Sequence, residues 1–250
     1  MANFKDYLNY FSKNFFMHKI IIVAGASFFL FAFHFPFQTK DNTLTAAEKR
    51  AGWILLFDGK STENWRTYQN QPDDSWQVVD GELYCQEKAV AKRADLITID
   101  EYGSFELQLD WKISKGANSG ILYHVQETHH ASYETGPEYQ LIDDVGYPGQ
   151  LEEWQKSGAD YAMHPPAKIV SKTAGEYNHT RIVVNGDHVQ HWLNGVKVAD
   201  FHAWTAEWEK LKKEGKWKDY PDYGIAKSGY IALQNHGGGI WFKNIKIKKL

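Results

Sequence analysis

Strict alternation of apolar and polar residues between Phe105 and Ile113 constrains the fold more than any other feature of the chain. The polar positions carry Glu, Gln, Asp and Lys, and the apolar positions are Phe105, Leu107, Leu109, Trp111 and Ile113. A period of two residues places all five apolar side chains on one face of an extended strand. This stretch therefore predicts a β-strand with one buried face and one face toward solvent.

Two further strand-like runs follow, and both carry an unusual number of polar and aromatic groups. They span residues 118–126 and 137–143, and these groups are Asn118, Tyr123, His124, Glu138, Gln140 and Asp143. Because alternate side chains of a strand share a face, Glu138 and Gln140 lie on one side, and Asp143 lies on the other unless the strand ends first. We expect a functional site on these two strands.

The rest of the chain is typical of short strands joined by tight turns. Asp-Gly or Asn-Gly pairs, which favour hairpins, occur at residues 58–59, 80–81, 185–186 and 194–195. The last two pairs separate three strand-like runs and predict an antiparallel meander. Near the end of the chain the apolar parity changes between Phe242 and Ile245, which predicts a β-bulge near Lys243 and Asn244.

Helical and irregular segments are few. Residues 43–53 suit a short helix capped by Thr45, and residues 204–217 show helical spacing of aromatic residues up to Gly215, which predicts a surface helix. Residues 145–170 have no period and predict a long loop, a common position for functional residues. The whole pattern predicts an all-β fold, a jelly-roll β-sandwich with one short surface helix.

The N-terminal segment differs from the rest of the chain. Lysines at positions 5, 13 and 19 precede an apolar run of about fourteen residues, which is shorter than the roughly 20 that a membrane-spanning helix needs. Residues 1–40 therefore suggest a signal peptide or an N-terminal anchor, and residues 48–250 a single domain. We expect an exported, periplasmic protein that contacts a membrane only if this segment is retained.

Composition narrows the classes of function. A formal net charge of −3 and a pI near 6.4 provide no basic surface for nucleic acid. Ten Trp, fourteen Tyr and fourteen Phe suit a sandwich core and, where they are exposed, platforms that stack on sugar rings. The only cysteine, Cys85, allows neither an internal disulfide nor a finger-type zinc site.

The polar residues of the central strands allow more than one interpretation. Glu138 and Asp143 suit an acid/base pair, or they are solvated strand ends. His124 suits a general base or a metal ligand, or it is a hydrogen-bonded surface group. The pair His129-His130, near Glu134, suits a metal site less well, because neighbouring histidines rarely bind one ion.

Two other segments carry candidate residues. Gln234 and His236 share one face of a strand that ends in three glycines, where a ligand can approach the backbone closely. His164 and Lys168 lie in the aperiodic loop, which is either a lid that carries a base or a rigid surface turn. Phosphate-binding loops, HExxH and the GxSxG elbow do not occur in the sequence.

Taken together, several segments resemble the 3-keto-disaccharide hydrolase family, also called 3-keto-glucoside 1,2-lyase/3-keto-2-hydroxyglucal hydratase. The similarity covers Trp53–Leu250, and the segments are FDGKSTENW, DGELY, NSGILYHV, PEYQLIDD, GEYNHTRIVVNGDHVQHWLNGVKVADF and GYIALQNHGGGIWFKNIKIK. The resemblance implies a concanavalin-like jelly roll with its site on the concave sheet, in an exported bacterial protein. It also implies cleavage of 3-keto-glycosides by β-elimination, hydration of the resulting 2-hydroxy-3-ketoglucal, or both.

Site residues follow from this resemblance. The catalytic candidates that it implies are Glu138 and His236 as acid/base groups, Asp143 as an orienting group, and His124. The candidates for substrate binding are Asn118, Tyr123, Gln140, Lys168 and Gln234. Asn235 stands where the family often has Asp, and His124 where an arginine is more usual. The resemblance leaves room for a divalent metal ion at the enolate oxygen but assigns no ligand to one.

Other classes of function fit the same fold. Jelly-roll sandwiches also serve as non-catalytic carbohydrate-binding modules and as structural domains of surface assemblies. An enzyme brings Glu138, His236 and a third polar group together in one aromatic-lined cleft, whereas a binding module presents a shallow aromatic platform. A structural domain predicts no such polar cluster.

Overall fold

A computed structural model describes residues 40–86 and 91–250 and shows two antiparallel β-sheets. The strands are β1 Ile54–Leu55, β2 Trp65–Thr67, β3 Trp76–Val79, β4 Glu82–Cys85, β5 Leu96–Thr98, β6 Phe105–Ile113, β7 Asn118–Val125, β8 Glu138–Ile142, β9 Asn178–Asn185, β10 His188–Leu193, β11 Val196–His202, β12 Tyr230–Leu233 and β13 Ile240–Lys249. The α-helices are α1 Ala46–Arg50 and α2 Ala206–Glu214. The predicted all-β, concanavalin-like jelly-roll sandwich is confirmed.

The predicted signal peptide or N-terminal anchor lies outside this description, because residues 1–39 are not among the described residues. Neither α-helix within residues 40–86 and 91–250 is long and apolar enough to cross a membrane. Helix α1 begins after Thr45, whose hydroxyl accepts the N–H of Glu48, as the capping pattern predicts. Helix α2 begins after Thr205 and ends before Gly215.

The two sheets differ in size. The large sheet has the order β11-β10-β9-β6-β13-β4-β3, with β1 paired to β13, and the small sheet has the order β2-β5-β12-β7-β8. Strands β9, β10 and β11 form the predicted meander. The predicted bulge is present too, because the register between β13 and β6 shifts between Lys243 and Lys246, and Asn244 has a φ of 55°.

One predicted hairpin is absent, although its turn is present. Oδ1 of Asp58 accepts the N–H groups of Lys60 and Ser61, so the chain bends at the Asp-Gly pair. However, β1 pairs with β13 of the large sheet, whereas the next strand, β2, pairs with β5 of the small sheet. The chain therefore crosses between the two sheets at this turn instead of folding back on itself.

The buried faces of both sheets meet in one hydrophobic core. The five apolar residues of β6 are at most 2% exposed, which confirms the alternation seen in the sequence. On the small sheet, β7 and β8 are buried over nearly all of their length on both faces. Ile121, Tyr139 and Leu141 face the core, so the alternate residues of these strands face the opposite side of the small sheet.

Candidate active site

Strand register brings the polar residues of β7 and β8 together on the outer face of the small sheet, away from the core. Gly120 pairs with Gln140 and Leu122 pairs with Glu138, and paired residues of an antiparallel ladder share a face. The backbone N–H of Gln234, which directly follows β12, donates to the carbonyl of Gly120 at 2.9 Å. Three strands therefore supply the floor of a site, as the parity of Glu138 and Gln140 predicts.

A cleft of about 280 Å³ opens above this floor. Its lining residues are Asn118, Tyr133, Glu138, Gln140, Tyr161, Lys216, Tyr220, Gln234 and His236. Five of them are sequence-predicted site residues, and they include both acid/base candidates, Glu138 and His236. Three tyrosines form aromatic walls. The arrangement is a cleft with converging polar groups, not a flat aromatic platform.

Glu138 is the most buried ionisable group of the cleft, with 4% of its surface exposed. Burial raises the pKa of its carboxyl group from 4.5 to about 8; the positive charge of Lys216 opposes this shift, and Asp95 and Asp160 add to it. Its carboxylate lies over Gly120, where an added Cβ would come within 2.2 Å of Oε1. The absence of a side chain at position 120 therefore creates the space for this carboxyl group.

Three amide oxygens in the same cleft have no hydrogen-bond partner. They are Asn118 Oδ1, Gln140 Oε1 and Gln234 Oε1, and all three atoms are buried. The orientation of Gln140 is fixed, because its Nε2 donates to the carbonyl of Gln155 at 3.1 Å. An unpaired buried acceptor raises the free energy of the folded state, so these oxygens suit a ligand that donates several hydrogen bonds.

Lys216 supplies a cation to the cleft that the sequence analysis did not assign. It lies directly after Gly215, where helix α2 has ended and a short 3₁₀ turn, Lys216–Asp219, begins. Its Nζ lies 4.2 Å from the centre of the Tyr161 ring and 4.8 Å from that of Trp217. Although the residue as a whole is exposed, burial of the ammonium group lowers its pKa, and the nearby Glu138 opposes this effect.

The remaining candidate residues lie outside the cleft. Asp143 accepts the N–H groups of Gly116, Gly146 and Val145, and these bonds hold its pKa below the usual value even though burial alone would raise it. The Asp143 carboxylate therefore closes the loop after β8, as a turn-forming aspartate does.

His124, Tyr123 and Lys168 have other surroundings. The Nε2 atom of His124 lies 2.8 Å from the carbonyl of Gly103, and burial lowers the pKa of this histidine. Tyr123 is 2% exposed and belongs to the hydrophobic core. Lys168 is exposed, and its neighbour Ala167 donates its N–H to Val198 of the large sheet.

The other histidine candidates are held by carboxylates. Nε2 of His129 lies 2.6 Å from the carboxylate of Asp222, and Nδ1 of His164 lies 2.9 Å from that of Asp160. Within residues 40–86 and 91–250, no group of three or more His, Cys, Asp or Glu side chains is arranged to hold a metal ion. Sequence patterns also did not indicate Tyr133, Tyr161 and Tyr220, because they lie in irregular segments where no period marks a face.

Several known proteins are similar to this chain in sequence or in structure. A 3-keto-disaccharide hydrolase of Bacteroides thetaiotaomicron is 31% identical over 228 residues, which cover 80% of this chain and 79% of that protein. A crystal structure of a proposed glycosyl hydrolase from Parabacteroides distasonis is 41% identical, covers 84% of this chain and 100% of its own, and has a TM-score of 0.79. A second such structure from that organism is 30% identical, with a TM-score of 0.62 and coverage of 79% and 99%.

A family model matches residues 52–248, nearly the whole of the part that forms the two sheets. This match and the similarity to the Bacteroides protein agree with each other and with the resemblance seen in the sequence. The chain therefore belongs to the family of the 3-keto-alpha-glucoside-1,2-lyase-like domain.

Proposed function

We propose that this protein cleaves 3-keto-glycosides by β-elimination and hydrates the resulting 2-hydroxy-3-ketoglucal, so that the sum of the two steps is hydrolysis. The observation that carries the proposal is the meeting of three groups in one cleft: the buried carboxyl of Glu138, the ammonium of Lys216 and the imidazole of His236. Family membership and the name of the Bacteroides relative support the same chemistry.

The substrate itself makes the elimination feasible. A ketone at C3 acidifies the hydrogen on C2, so a positioned base can remove that proton and form an enolate. The enolate electrons then form the C1–C2 double bond, restore the C3 carbonyl and expel the C1 oxygen. A catalyst needs a base at C2, a positive group near the C3 oxygen and an acid at the leaving oxygen.

Each need has a matching group in the cleft. Glu138 is the base, because burial raises its pKa to about 8 and makes the ionised form a stronger proton acceptor than an ordinary carboxylate. Lys216 stabilises the negative charge on the C3 oxygen, since its ammonium group is already partly desolvated. His236, at the exposed side of the cleft, donates a proton to the leaving oxygen.

Hydration uses the same groups in reverse. His236 removes a proton from a water molecule that attacks C1, and Glu138 returns its proton to C2, which yields 3-ketoglucose. The unpaired oxygens of Asn118, Gln140 and Gln234 accept hydrogen bonds from the sugar hydroxyls and fix the ring. These neutral acceptors orient the substrate without adding negative charge beside the enolate.

The test compares a 3-keto-glucoside with the unoxidised glucoside, following aglycone release and the ultraviolet absorbance of the enone. We expect release from the keto sugar alone. Lys216→Met and Glu138→Gln should each lower kcat by about 100-fold, the usual scale for loss of a charge-stabilising or proton-transferring group. Lys213→Met, on the exposed part of α2 and outside the cleft, is the matched control and should leave kcat unchanged.

Two results would contradict the proposal. Release from both sugars at equal rates would show that the C3 ketone is not required, and would indicate ordinary glycoside hydrolysis. Binding of the keto sugar without cleavage would favour the alternative of a non-catalytic carbohydrate-binding module.

We also propose that residues 1–40 direct export to the periplasm, on the basis of their lysines and apolar run. Expression of the full chain in a Gram-negative host, followed by fractionation and N-terminal sequencing, tests this. Recovery of uncleaved protein in the cytoplasm would contradict it.

A further inference from the structure

A second cavity, of about 250 Å³, adjoins the catalytic cleft. The two share three lining residues, Tyr133, Gln234 and His236. The second cavity is otherwise lined by Tyr68, Gln71, Arg93, Ala94, Asp95, His130, Ala131, Ser132 and Asn235. His236, the proposed acid for the leaving oxygen, therefore lies at the boundary between two spaces of similar size.

Asp95 holds the shared wall together. Its carboxylate accepts the backbone N–H of Asn235 at 2.7 Å and the hydroxyl of Ser132. Asn235 precedes His236, and Ser132 precedes Tyr133. The Asp95 carboxylate therefore connects two of the three shared residues, His236 and Tyr133, to the start of β5. The boundary between the two cavities is therefore built by a buried hydrogen-bond network and not by a loose loop.

The residues that line only one of the two cavities differ in their unpaired acceptor oxygens. The catalytic cleft contains the unpaired acceptor oxygens of Asn118 and Gln140, whereas the residues that line only the second cavity include none of the unpaired buried oxygens. Its carboxylate, Asp95, already accepts two hydrogen bonds. Among its exposed polar side chains, the guanidinium of Arg93 only donates, and the imidazole of His130 carries at least one donor N–H.

The guanidinium of Arg93 has a defined place beside the boundary. An added Cβ at Gly237 would lie 2.3 Å from a terminal nitrogen of Arg93, so the guanidinium rests against the backbone that follows His236. Gly237 has a φ of 87°, a conformation that glycine adopts readily. The second cavity thus presents a cation beside the backbone that follows His236.

We propose that the second cavity is the subsite for the leaving group and that it takes a second sugar ring. This inference rests on the proposed function. Arg93 and His130 donate hydrogen bonds to the hydroxyl and ring oxygens of the leaving sugar, and Tyr133 contacts both rings at the junction. The bond that breaks, between C1 and the bridging oxygen, then lies beside His236.

The experiment compares two substrates with the same 3-keto-glucosyl group: a methyl glycoside and a disaccharide whose leaving group is glucose. The full-length chain and its Arg93→Ala variant are assayed on both. We expect kcat/KM to fall about tenfold for the disaccharide, the effect of one lost charge-assisted hydrogen bond, and to change less than about twofold for the methyl glycoside. Lys92→Ala removes a neighbouring exposed cation that lines neither cavity, and it should leave both values unchanged.

The outcomes separate the two proposals. If the unaltered protein cleaves both substrates and Arg93→Ala affects them equally or not at all, the leaving-group subsite is refuted while the proposed function stands. If the unaltered protein cleaves neither substrate, the proposed function is refuted and the subsite with it. A substrate-selective loss in Arg93→Ala that is absent in Lys92→Ala supports the subsite.

Discussion

Replacing Gly120 by Ala tests whether the missing side chain at this strand position makes room for the carboxyl group of Glu138, the proposed base. The added Cβ would lie 2.2 Å from Oε1 of Glu138 and 2.8 Å from both Cδ and Cγ. Ordinary contact begins at 3.4 Å, so the carboxylate must move by about 1.2 Å, a distance that follows from these two values. A displacement of about 1 Å at a reacting group can lower a rate by about 100-fold.

The same substitution should leave the fold intact. Gly120 does not have a positive φ, so alanine is compatible with the strand, and Gly→Ala changes at compatible sites often stabilise by about 0.4–1 kcal/mol. The matched control is Gly103→Ala, where the nearest atom to an added Cβ is the Lys227 carbonyl at an ordinary 3.5 Å. We expect the free energy of unfolding of Gly103→Ala to stay within about 1 kcal/mol of the unaltered protein, and that of Gly120→Ala to fall by about 1–3 kcal/mol because the new methyl group crowds the buried Glu138.

The assay measures kcat on a 3-keto-glucoside together with the urea midpoint of each protein. We expect Gly120→Ala to lower kcat by about 100-fold in a protein that is still folded under the assay conditions, whereas Gly103→Ala keeps the full rate. A Gly120→Ala protein that retains more than about a third of the rate would refute the argument, because the position of the Glu138 carboxylate would then not matter for the reaction.

Two further predictions concern pH and stability. Because the Glu138 pKa rises from 4.5 to about 8 on folding, its carboxyl group destabilises the fold as pH increases through this range, and Glu138→Gln removes the effect. Urea titrations at about pH 5 and about pH 9 should show the variant gaining a few kcal/mol relative to the unaltered protein; an equal difference at both pH values would contradict the raised pKa. Asp143 affects stability in the opposite direction, because its pKa is lowered on folding. Its contribution to the free energy of unfolding is present above pH 3.8 and is lost as the pH falls through the pKa of the folded state. Asp143→Asn should therefore lower the free energy of unfolding by about 1–3 kcal/mol at neutral pH, with kcat within about twofold; a large loss of kcat in a stable protein would instead assign Asp143 a catalytic role.

Periodicity in the sequence predicted the sheets well, because burial against the core requires apolar residues at alternate positions of a strand. Strand β6 lies inside the large sheet with one face on the core, so the alternation from Phe105 to Ile113 reports burial directly. The same logic put Glu138 and Gln140 on one face, and pairing with β7 added Asn118. Parity could not show that one Asp-Gly turn, at residues 58–59, joins strands of different sheets, since the choice between a hairpin and a crossing depends on strand partners far along the chain.

Asp143 and His124 lie outside the cleft, and the backbone explains the position of each. Asp143 follows the last residue of β8 and precedes Val145 and Gly146, whose N–H groups it accepts, a spacing typical of a turn. His124 has a φ of 55°, which turns its side chain toward the Gly103 carbonyl and out of the alternation of β7. Backbone departures of this kind are invisible to a pattern that assumes regular strands.

Lys216 shows why part of the cleft could not be predicted from the sequence. Its position depends on three features that have no sequence proximity to β8: the end of α2 at Gly215, the Trp217 indole that donates to the Tyr161 carbonyl at 3.1 Å, and the Tyr161 N–H that donates to the Glu138 carbonyl at 2.9 Å. These contacts position the ammonium group of Lys216, which follows a surface helix, near the carboxyl group of Glu138. The small sheet thus supplies the unpaired acceptors and the proposed base, Glu138, while the ammonium group of Lys216 comes from the segment between β11 and β12. Because Lys216 is exposed, a change of its side chain should alter the proposed reaction without disturbing the sheet, whereas a change at Gly120 acts directly on the Glu138 carboxylate.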